Sequence, residues 1–224
     1  MSNLNYVANG SSIRCPLYWP VGTSVIFYCD YNNNNIANEN GDGQNLGMNF
    51  MSWNDGLAYA DWACLRPMTE LEYEKAARGP VYPVPHGFAW GNTEIEYSTS
   101  VSNWGSSSEK PLNGNANDGS LGVMRVGSFA NQNSTRYSSG ASFYGIMNLS
   151  DNSIEYTVTL SMPDSRNFTN TCGDGTIGTQ HNVSTWPSHY VIKYGPYGIS
   201  QRTEIFDDLT FRNGLSAIRL VRPQ

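Results

Sequence analysis

The chain has 224 residues, a formal net charge of -6 and a charged share of only 14%. The acidic balance argues against a nucleic-acid partner, because proteins that bind the phosphate backbone usually carry a basic face. No apolar run approaches the roughly 20 residues that span a bilayer, and the N-terminus shows no signal-peptide pattern, so membrane insertion is not expected.

Asparagine, serine, threonine, glycine and tyrosine take the place of the missing charges. This composition is typical of surfaces that bind ligands through hydrogen bonds and aromatic contacts, such as antibody paratopes. It is equally typical of a loop-rich β protein whose turns require asparagine and glycine. Composition alone leaves both interpretations open.

The N-terminal segment predicts short strands followed by a polar loop. Residues 1–30 alternate apolar and polar positions in short bursts, which favours strands. Residues 31–47 are polar, and the acidic text near Asp42 lacks the spacing of an EF-hand, so a flexible loop is predicted. Cys15 and Cys29 flank the β-rich part, and whether they are bridged in an oxidising compartment stays open.

The first of two adjacent helices is predicted to begin near Ser52. Asp55 follows three residues later and completes a pattern like a capping box. Leu57, Ala60 and Cys64 recur at helical spacing and predict an apolar stripe. On this pattern Cys64 is expected to be a buried free thiol.

The second helix has clearer ends. Thr69 is the predicted N-cap residue, and Glu72 closes its capping box. Leu71 and Ala76 are expected on the inner side of this helix. Gly79, followed by proline, ends it.

Beyond residue 80 the sequence predicts no long helix and no linker that divides the chain. Clusters of glycine, asparagine and serine alternate with short apolar runs, as in one loop-rich domain with short strands. The runs predicted as strands are 123–129, 142–149, 153–160, 189–194 and 216–222.

The segments 52–62 and 66–79, followed by Trp90-Gly91, resemble the central signature of the formylglycine-generating-enzyme or sulfatase-modifying-factor domain. A degenerate match at 144–156 and closing strands at 217–222 extend this resemblance to roughly residues 48–222. The family is a variant of the C-type lectin fold. The resemblance therefore implies an α+β, C-type-lectin-like domain with two helices on a small twisted antiparallel sheet and long irregular loops.

The resemblance also implies a division of the chain. Residues 48–224 are predicted to form the sulfatase-modifying-factor-like domain. Residues 1–47 are predicted to supply N-terminal strands and the polar loop, and whether they belong to the same domain is left open.

Members of this family commonly hold two calcium ions, and the resemblance places both sites on this chain. Side-chain and backbone oxygens of this kind suit calcium. The alternative is that Asn103 and Asp118 merely cap turns and that Glu155 is a solvated or paired strand residue. The first predicted site comprises Asn103, Trp104, Asp118 and Ser120, and the second comprises Asn148, Asp151, Ser153 and Glu155.

Active members need a cysteine pair near the C-terminus that binds copper. Residues 173–224 contain no cysteine, and Cys172 precedes that region. The histidines, His86, His181 and His189, are interpreted as loop residues. No catalytic residue is therefore predicted, and catalysis is not expected. An oxidase with a displaced metal site is the alternative.

Lectin-like domains of this type also serve as display scaffolds, whose C-terminal loops bind ligands. The prediction is a non-catalytic ligand-binding, adhesion or virion surface protein that contacts a protein or a glycan, located at a cell surface or virion rather than in the cytoplasm. A structural subunit of a larger assembly is a further alternative. Core packing is the other interpretation of the aromatic residues. The predicted binding residues are Trp186, His189, Tyr190, Tyr194, Tyr197, Arg202, Phe206 and Phe211.

Overall fold

The computed structural model describes residues 13–14, 20–24, 26–194, 198–201 and 203–222. Within these ranges the chain forms two helices, ten short strands and one 3-10 turn, joined by long loops. The helices are α1 (Trp53–Trp62) and α2 (Glu70–Arg78), and the 3-10 turn is Ser165–Asn167. The strands are β1 (Ile13–Arg14), β2 (Tyr28–Cys29), β3 (Arg66–Pro67), β4 (Val101–Ser102), β5 (Lys110–Pro111), β6 (Ile154–Val158), β7 (Tyr190–Lys193), β8 (Ile205–Phe206), β9 (Ser216–Ile218) and β10 (Leu220–Val221).

Both helices begin where the sequence predicts. The Oγ atom of Ser52 accepts a hydrogen bond from the backbone of Asp55 at 3.1 Å, and the Asp55 carboxylate accepts one from the backbone of Ser52 at 2.8 Å. Thr69 and Glu72 make the same reciprocal pair at 3.2 and 3.0 Å. Each pair satisfies backbone donors that the first helical turn leaves without a partner.

The inner faces of the helices differ from the prediction at two positions. Helix α1 ends at Trp62, so Cys64 leaves the apolar stripe and is exposed, with a φ angle of 55°. The expectation of a buried thiol is therefore wrong. Leu71 is 59% exposed, and the buried positions of α2 are Glu70, Tyr73 and Ala77. The expectation of an inward Leu71 is wrong because the helix turns Glu70 inward instead.

The main sheet has four strands in the order β8-β7-β6-β9. Strand β7 is antiparallel to both β6 and β8, but β6 and β9 are parallel. The prediction of a purely antiparallel sheet is thus wrong at one pairing. The reason is the long connection between β6 and β9, which allows the crossover that parallel neighbours require.

Small two-stranded pairs lie outside this sheet. Strands β1 and β2 are antiparallel, as are β4 and β5. Strand β10 pairs with β3 at the corner between the helices, where Leu220 lies opposite Pro67. Cys15 lies outside the described residues, so its bridging to Cys29 stays a prediction.

Two of the predicted strands are turns. In the run 123–129, the backbone of Ser128 donates to the carbonyl of Arg125 at 3.2 Å. In the run 142–149, the backbone of Gly145 donates to the carbonyl of Ser142 at 3.1 Å. These short-range bonds replace strand ladders. The strands predicted within 153–160, 189–194 and 216–222 are confirmed.

The main core lies between helix α1 and the four-stranded sheet. The rings of Trp53 and Tyr190 stack with centroids 5.2 Å apart, and Tyr156 meets Tyr190 edge-on at 4.8 Å. The indole nitrogen of Trp53 donates to the carbonyl of Pro187 at 3.1 Å, so this buried polar group is satisfied. Neither described helix is long and apolar enough to cross a membrane.

Candidate functional site

The second predicted calcium group is brought together in the structure. Asn148, Asp151 and Glu155 are all buried. The amide nitrogen of Asn148 donates to both carboxylate oxygens of Asp151 at 3.0 Å. The backbone nitrogen of Asn117 donates to Asp151 at 3.1 Å, while that of Ser153 donates to the Asp151 carbonyl at 2.9 Å. A loop and the start of strand β6 therefore share one polar cluster.

An arginine that sequence reasoning did not assign to this cluster lies beside it. The Nε atom of Arg219 donates to Oε1 of Glu155 at 2.8 Å. Its Nη2 atom donates to the carbonyls of Met147 and Asn148 at 3.3 and 3.4 Å. The guanidinium thus supplies one positive charge to a site that holds two carboxylates.

Burial makes both carboxylates difficult to ionise. It raises the pKa of Asp151 to about 7, although hydrogen bonds from Asn117 and Asn148 oppose the shift. Burial also raises the pKa of Glu155, against the attraction of Arg219. The Oε2 atom of Glu155 is buried and has no hydrogen-bond partner among the described residues. Oε2 of Glu155 therefore remains for a cation, whereas the amide oxygen of Asn148 already accepts a hydrogen bond from the backbone of Gly127 at 2.9 Å.

The residues of the first predicted calcium group share fewer hydrogen bonds than those of the second. Asn103 is exposed, and its amide nitrogen donates to the carbonyl of Ser108 at 3.4 Å. Asp118 accepts a hydrogen bond from the backbone of Ser120 at 2.9 Å, and bonds with Ser120 lower the pKa of its carboxyl. Within the described ranges, no hydrogen bond joins Asn103 or Trp104 to Asp118 or Ser120. Calcium at this group stays a prediction.

Over the part of the chain that the structure describes, no three His, Cys, Asp or Glu side chains gather in a way that could hold a metal ion. The second calcium group is of another kind, since it combines two carboxylates with amide and carbonyl oxygens. Hard oxygen ligands of this type suit calcium and offer no soft donor to a transition metal.

Two of the predicted binding residues belong to the core. Trp186 is 5% exposed, and its indole nitrogen donates to the carbonyl of Thr171 at 3.0 Å. Tyr190 is fully buried, with its hydroxyl donating to the carbonyl of Asp208 at 2.9 Å. Their expected position at exposed loop tips is wrong, because strand β7 and its preceding loop turn them inward.

Other predicted binding residues lie nearer the surface. His189 lies 2.9 Å from a carboxylate oxygen of Asp164, and Phe211 is 42% exposed. The half-buried Tyr194 donates to the carbonyl of Asp118 at 3.0 Å. The half-buried Phe206 stacks on the Tyr190 ring. Tyr197 and Arg202 lie outside the described residues.

A buried carboxylate on helix α1 anchors the loop that precedes these residues. Asp61 is buried and accepts hydrogen bonds from the backbones of Asp174 at 3.1 Å and Asn182 at 2.8 Å. Its own carbonyl accepts one from Gly175 at 3.0 Å. The signal in the sequence was its position four residues after Leu57, on the apolar face of the helix.

Two more buried acids hold loops in the same way. Glu70 accepts a hydrogen bond from the backbone of Leu160 at 2.9 Å. Glu109 accepts bonds from the backbones of Gly105 at 2.9 Å and Arg125 at 2.6 Å. Sequence reasoning assigned no role to either residue. The bond from Gly105 to Glu109 holds the loop that carries the predicted calcium residues Asn103 and Trp104.

The chain is similar to a known protein family over most of its length. The model of the sulfatase-modifying factor enzyme 1-like domain matches residues 25–199. The chain belongs to this family. The match begins upstream of the helices and includes the described strand β2.

Several characterised proteins are similar to parts of the chain. The mouse inactive C-alpha-formylglycine-generating enzyme 2 is 30% identical over 173 residues, covering 75% of this chain and 49% of that protein. Its bovine counterpart is 36% identical over 111 residues, or 48% and 31%. The formylglycine-generating enzyme of Thermomonospora curvata is 37% identical over 81 residues, or 36% and 25%.

The chain therefore spans about half, or less, of the length of these relatives. No solved structure matches it. The similarity is limited to the matched part of each relative and does not include the rest of its length.

Proposed function

We propose that this chain is a non-catalytic formylglycine-generating-enzyme-like domain that binds a protein or a glycan through its C-terminal loops. The observation that carries the proposal is the absence of any cysteine from residues 173–224. The family resemblance implies a copper-binding cysteine pair there in active members, and thiolates are the ligands that Cu(I) prefers. The two relatives whose names include the word inactive support this proposal.

The catalytic part of the proposal is tested with a cysteine-containing peptide. The protein, supplied with copper and oxygen, is expected to leave the peptide unchanged in mass spectrometry. The formylglycine-generating enzyme of Thermomonospora curvata is the positive control. Formation of an aldehyde by this protein would overturn the proposal.

The binding part is tested on arrays of glycans and surface proteins. Phe211 is an exposed aromatic residue of the C-terminal loops, so Phe211→Ala is expected to weaken binding by roughly tenfold or more, as at interface hot spots. Leu71→Ala is the matched control, because Leu71 is exposed on helix α2. An equal loss of binding in Phe211→Ala and Leu71→Ala would count against the C-terminal surface. Failure of the unaltered protein to bind any glycan or surface protein would count against it as well.

Calcium at the second group is part of the same proposal. Asn148 and Glu155, with backbone carbonyls of Asp151 and Ser153, would hold the ion, and its charge would brace the loop before strand β6. Millimolar calcium is expected to raise the melting temperature of the protein but not of Glu155→Gln. The exposed Glu94→Gln is the control. An unchanged melting temperature in the unaltered protein would reject the site.

One observation favours the alternative of an oxidase with a displaced metal site. The backbone of Gly173 donates to the carbonyl of Leu65 at 2.9 Å, so the preceding residues, Cys172 and Cys64, lie on adjacent segments. Stoichiometric copper that is lost in Cys64→Ser and in Cys172→Ser would support this alternative. Copper binding that survives both substitutions would remove it.

We further propose a C-type-lectin-like subtype of the fold and a location at a cell surface or virion. The packing of helix α1 beside the four-stranded sheet supports the fold. Immunodetection on intact cells and purified particles checks the location, and the particle mass distinguishes a free domain from a subunit of an assembly. Protein found only in the cytoplasm would contradict the proposed location.

A further inference from the structure

A cavity of about 110 Å³ lies between the loop that follows helix α2, the side chain of Arg136 and residues 199–200. None of the predicted binding residues within the described ranges lines this cavity, so the inference does not depend on the function proposed above. Its wall combines charged and apolar side chains. The apolar ones are Val81, Pro83, Val84, Phe88, Trp90 and Ile199.

Two arginines also line the cavity, and only one of them has a carboxylate partner. Arg78 forms an ion pair with Glu74 and donates to the Oγ atom of Ser200 at 3.0 Å. Among the described residues, no carboxylate pairs with Arg136, and no acidic residue lines the cavity. Burial lowers the pKa of Arg136, and no acidic group opposes this shift. The charge of Arg136 is therefore not balanced within this part of the chain.

The guanidinium of Arg136 is held in a position that leaves one nitrogen available. Its Nη2 atom donates to the carbonyl of Ala89 at 2.5 Å, and its Nε atom donates to that of Ala141 at 3.4 Å. Its Cζ atom lies 5.7 Å from the centre of the Phe143 ring. The Nη1 atom makes no hydrogen bond with the described residues, and it is not one of the polar atoms that are buried without a partner. This nitrogen therefore keeps accessible surface.

A glycine lies directly beside that nitrogen in the cavity wall. A Cβ atom on Gly91 would lie 3.2 Å from Nη1 of Arg136 and 3.5 Å from Nη2. The φ angle of Gly91 is +97°, a conformation that residues with a side chain rarely adopt. Gly91 and Arg136 both line the cavity, so the free nitrogen lies where the glycine leaves space.

The apolar part of the wall is built on the same loop. The rings of Phe88 and Trp90 stack with centroids 5.0 Å apart, on either side of the residue whose carbonyl Arg136 contacts. The backbone of Ile199 donates to the carbonyl of Gly87 at 3.0 Å, which joins Ile199 to this loop. A cavity of about 150 Å³ is known to hold benzene. The present cavity is smaller, so it fits a branched chain of about four carbons rather than a ring.

The other polar side chains of the wall have partners or contact water. The indole nitrogen of Trp90 donates to the carbonyl of Glu94 at 2.8 Å. Tyr82 is 91% exposed, so its hydroxyl is hydrated. The hydroxyl of the exposed Ser200 accepts the bond from Arg78. These groups therefore do not require a ligand.

The charge decides the class of ligand. A neutral molecule would leave the half-buried charge of Arg136 unbalanced, whereas a phosphate monoester would bring about two negative charges at neutral pH. A carboxylate brings one, and its oxygens form strong hydrogen bonds with a guanidinium. The backbone nitrogens of Gly87 and Gly91 are bonded to the carbonyls of Val84 and Phe88. Any backbone nitrogen that remains unpaired in the wall would suit the second carboxylate oxygen.

We propose that this cavity binds an aliphatic carboxylate, which accepts a hydrogen bond from Nη1 of Arg136 while its branched chain packs against the apolar wall. A free short-chain acid and the C-terminal carboxylate of a partner that ends in an aliphatic residue present the same chemistry.

The proposal is tested by NMR titration of the isotope-labelled full chain with isovalerate and isovaleramide. These probes share one branched chain, but only isovalerate is charged. The protein is expected to bind isovalerate roughly tenfold more tightly, because charge-assisted hydrogen bonds are about twice as strong as neutral ones. The backbone signals of Gly87, Gly91 and Ser200 are expected to shift, which locates the ligand without any substitution.

Three variants separate the charge from the fold. Arg136→Met keeps a long unbranched side chain and is expected to lose the preference while still binding isovaleramide. Arg166→Met is the matched control, because Arg166 is exposed and lies outside the cavity wall, and it is expected to keep the preference. Gly91→Ala places a methyl group beside Nη1 without removing the charge, and it is expected to weaken the binding of isovalerate by roughly tenfold, as for a lost charged hydrogen bond.

Three results would overturn the proposal: no binding of isovalerate, equal binding of isovalerate and isovaleramide, or an undiminished preference in Arg136→Met. Shifts confined to signals outside the cavity wall would overturn it as well. If Arg136→Met does not fold, the position of the shifts and the affinity of Gly91→Ala decide. N-acetyl-valine distinguishes the sources. Tighter binding of N-acetyl-valine than of isovalerate supports the C-terminus of a partner, and the reverse supports a free acid.

Discussion

The paired helices and the loops beyond residue 80 depend on the same interaction, a carboxylate that accepts a backbone hydrogen bond. The two regions differ in how far apart the bonded residues lie in the sequence. At Ser52 and Thr69, a carboxylate three residues later bonds to a backbone nitrogen and begins a helix. At Asp61 and Glu109, a carboxylate bonds to the backbone of loops, and for Asp61 those loops are far away in sequence. The local interaction stabilises one helical turn, whereas the long-range interaction determines where a loop lies.

The largest effect is expected from removing a long-range carboxylate. Asp61→Ala removes the acceptor of the backbone nitrogens of Asp174 and Asn182, whose bonds to Asp61 are partly buried. A lost partner costs about 1–3 kcal/mol, and partly buried bonds lie toward the lower end, so the free energy of unfolding should fall by about 2–3 kcal/mol. Urea denaturation measures it. The exposed Asp207→Ala should change stability by less than about 0.5 kcal/mol; similar values for both would contradict the anchoring role.

Asp151 should make the long-range network sensitive to pH. Its pKa is raised from 3.8 to about 7, so the folded state holds its proton more tightly than the unfolded state does. Its contribution to stability is fully present below pH 3.8 and is lost as pH rises through about 7. Relative to Asp151→Asn, the free energy of unfolding should fall by about 1.4 kcal/mol per pH unit at its steepest.

This pH dependence is measured by denaturation at several pH values in the presence of EDTA, which removes calcium. The exposed Asp207→Asn is the control and should retain the slope. A parallel dependence in Asp151→Asn would show that another group is responsible.

A local cap should contribute less. Thr69→Ala removes the hydroxyl that accepts the backbone bond of Glu72, and the expected loss is about 1 kcal/mol of unfolding free energy. Thermal or urea denaturation measures it against Thr93→Ala, since Thr93 is exposed. A loss as large as that of Asp61→Ala would remove the distinction between local and long-range bonds.

The smallest effect is expected from removing the partly exposed ion pair between Arg212 and Asp55. Asp55 also belongs to the capping box at the start of α1. Arg212 donates to both carboxylate oxygens of Asp55 at 2.7 Å, but about a third of each side chain is exposed. Arg212→Ala should cost no more than about 0.5 kcal/mol. Asp55→Ala also removes the capping bond to Ser52 and should cost about 1 kcal/mol. Equal losses in denaturation experiments would assign the contribution of Asp55 to the ion pair.

The sequence was sufficient for the interactions that are local. A capping box has a fixed spacing of three residues, so Ser52 with Asp55 and Thr69 with Glu72 were recognisable. Gly79 marked the end of α2, because a glycine directly after the last helical residue is also a local signal. The long-range bonds of Asp61 have no fixed spacing and could not be found in this way.

The candidate sites show the same division. The resemblance identified Asn148 and Glu155, but the approach of Arg219 depends on the path of the chain after β9. Trp186 and Tyr190 were predicted as exposed because aromatic residues suit both a binding surface and a core. Only the burial of both residues in the core cluster that contains Trp53 distinguishes these uses.

The pairing of β10 with β3 has a consequence for the order in which the protein is made. Leu220 completes the corner beside Pro67 between the two helices, which leave the ribosome long before it. Contacts between such distant segments form slowly, since a long chain must first close on itself. During synthesis the nascent helix pair therefore lacks its last neighbouring strand until Leu220 and Val221 have been made.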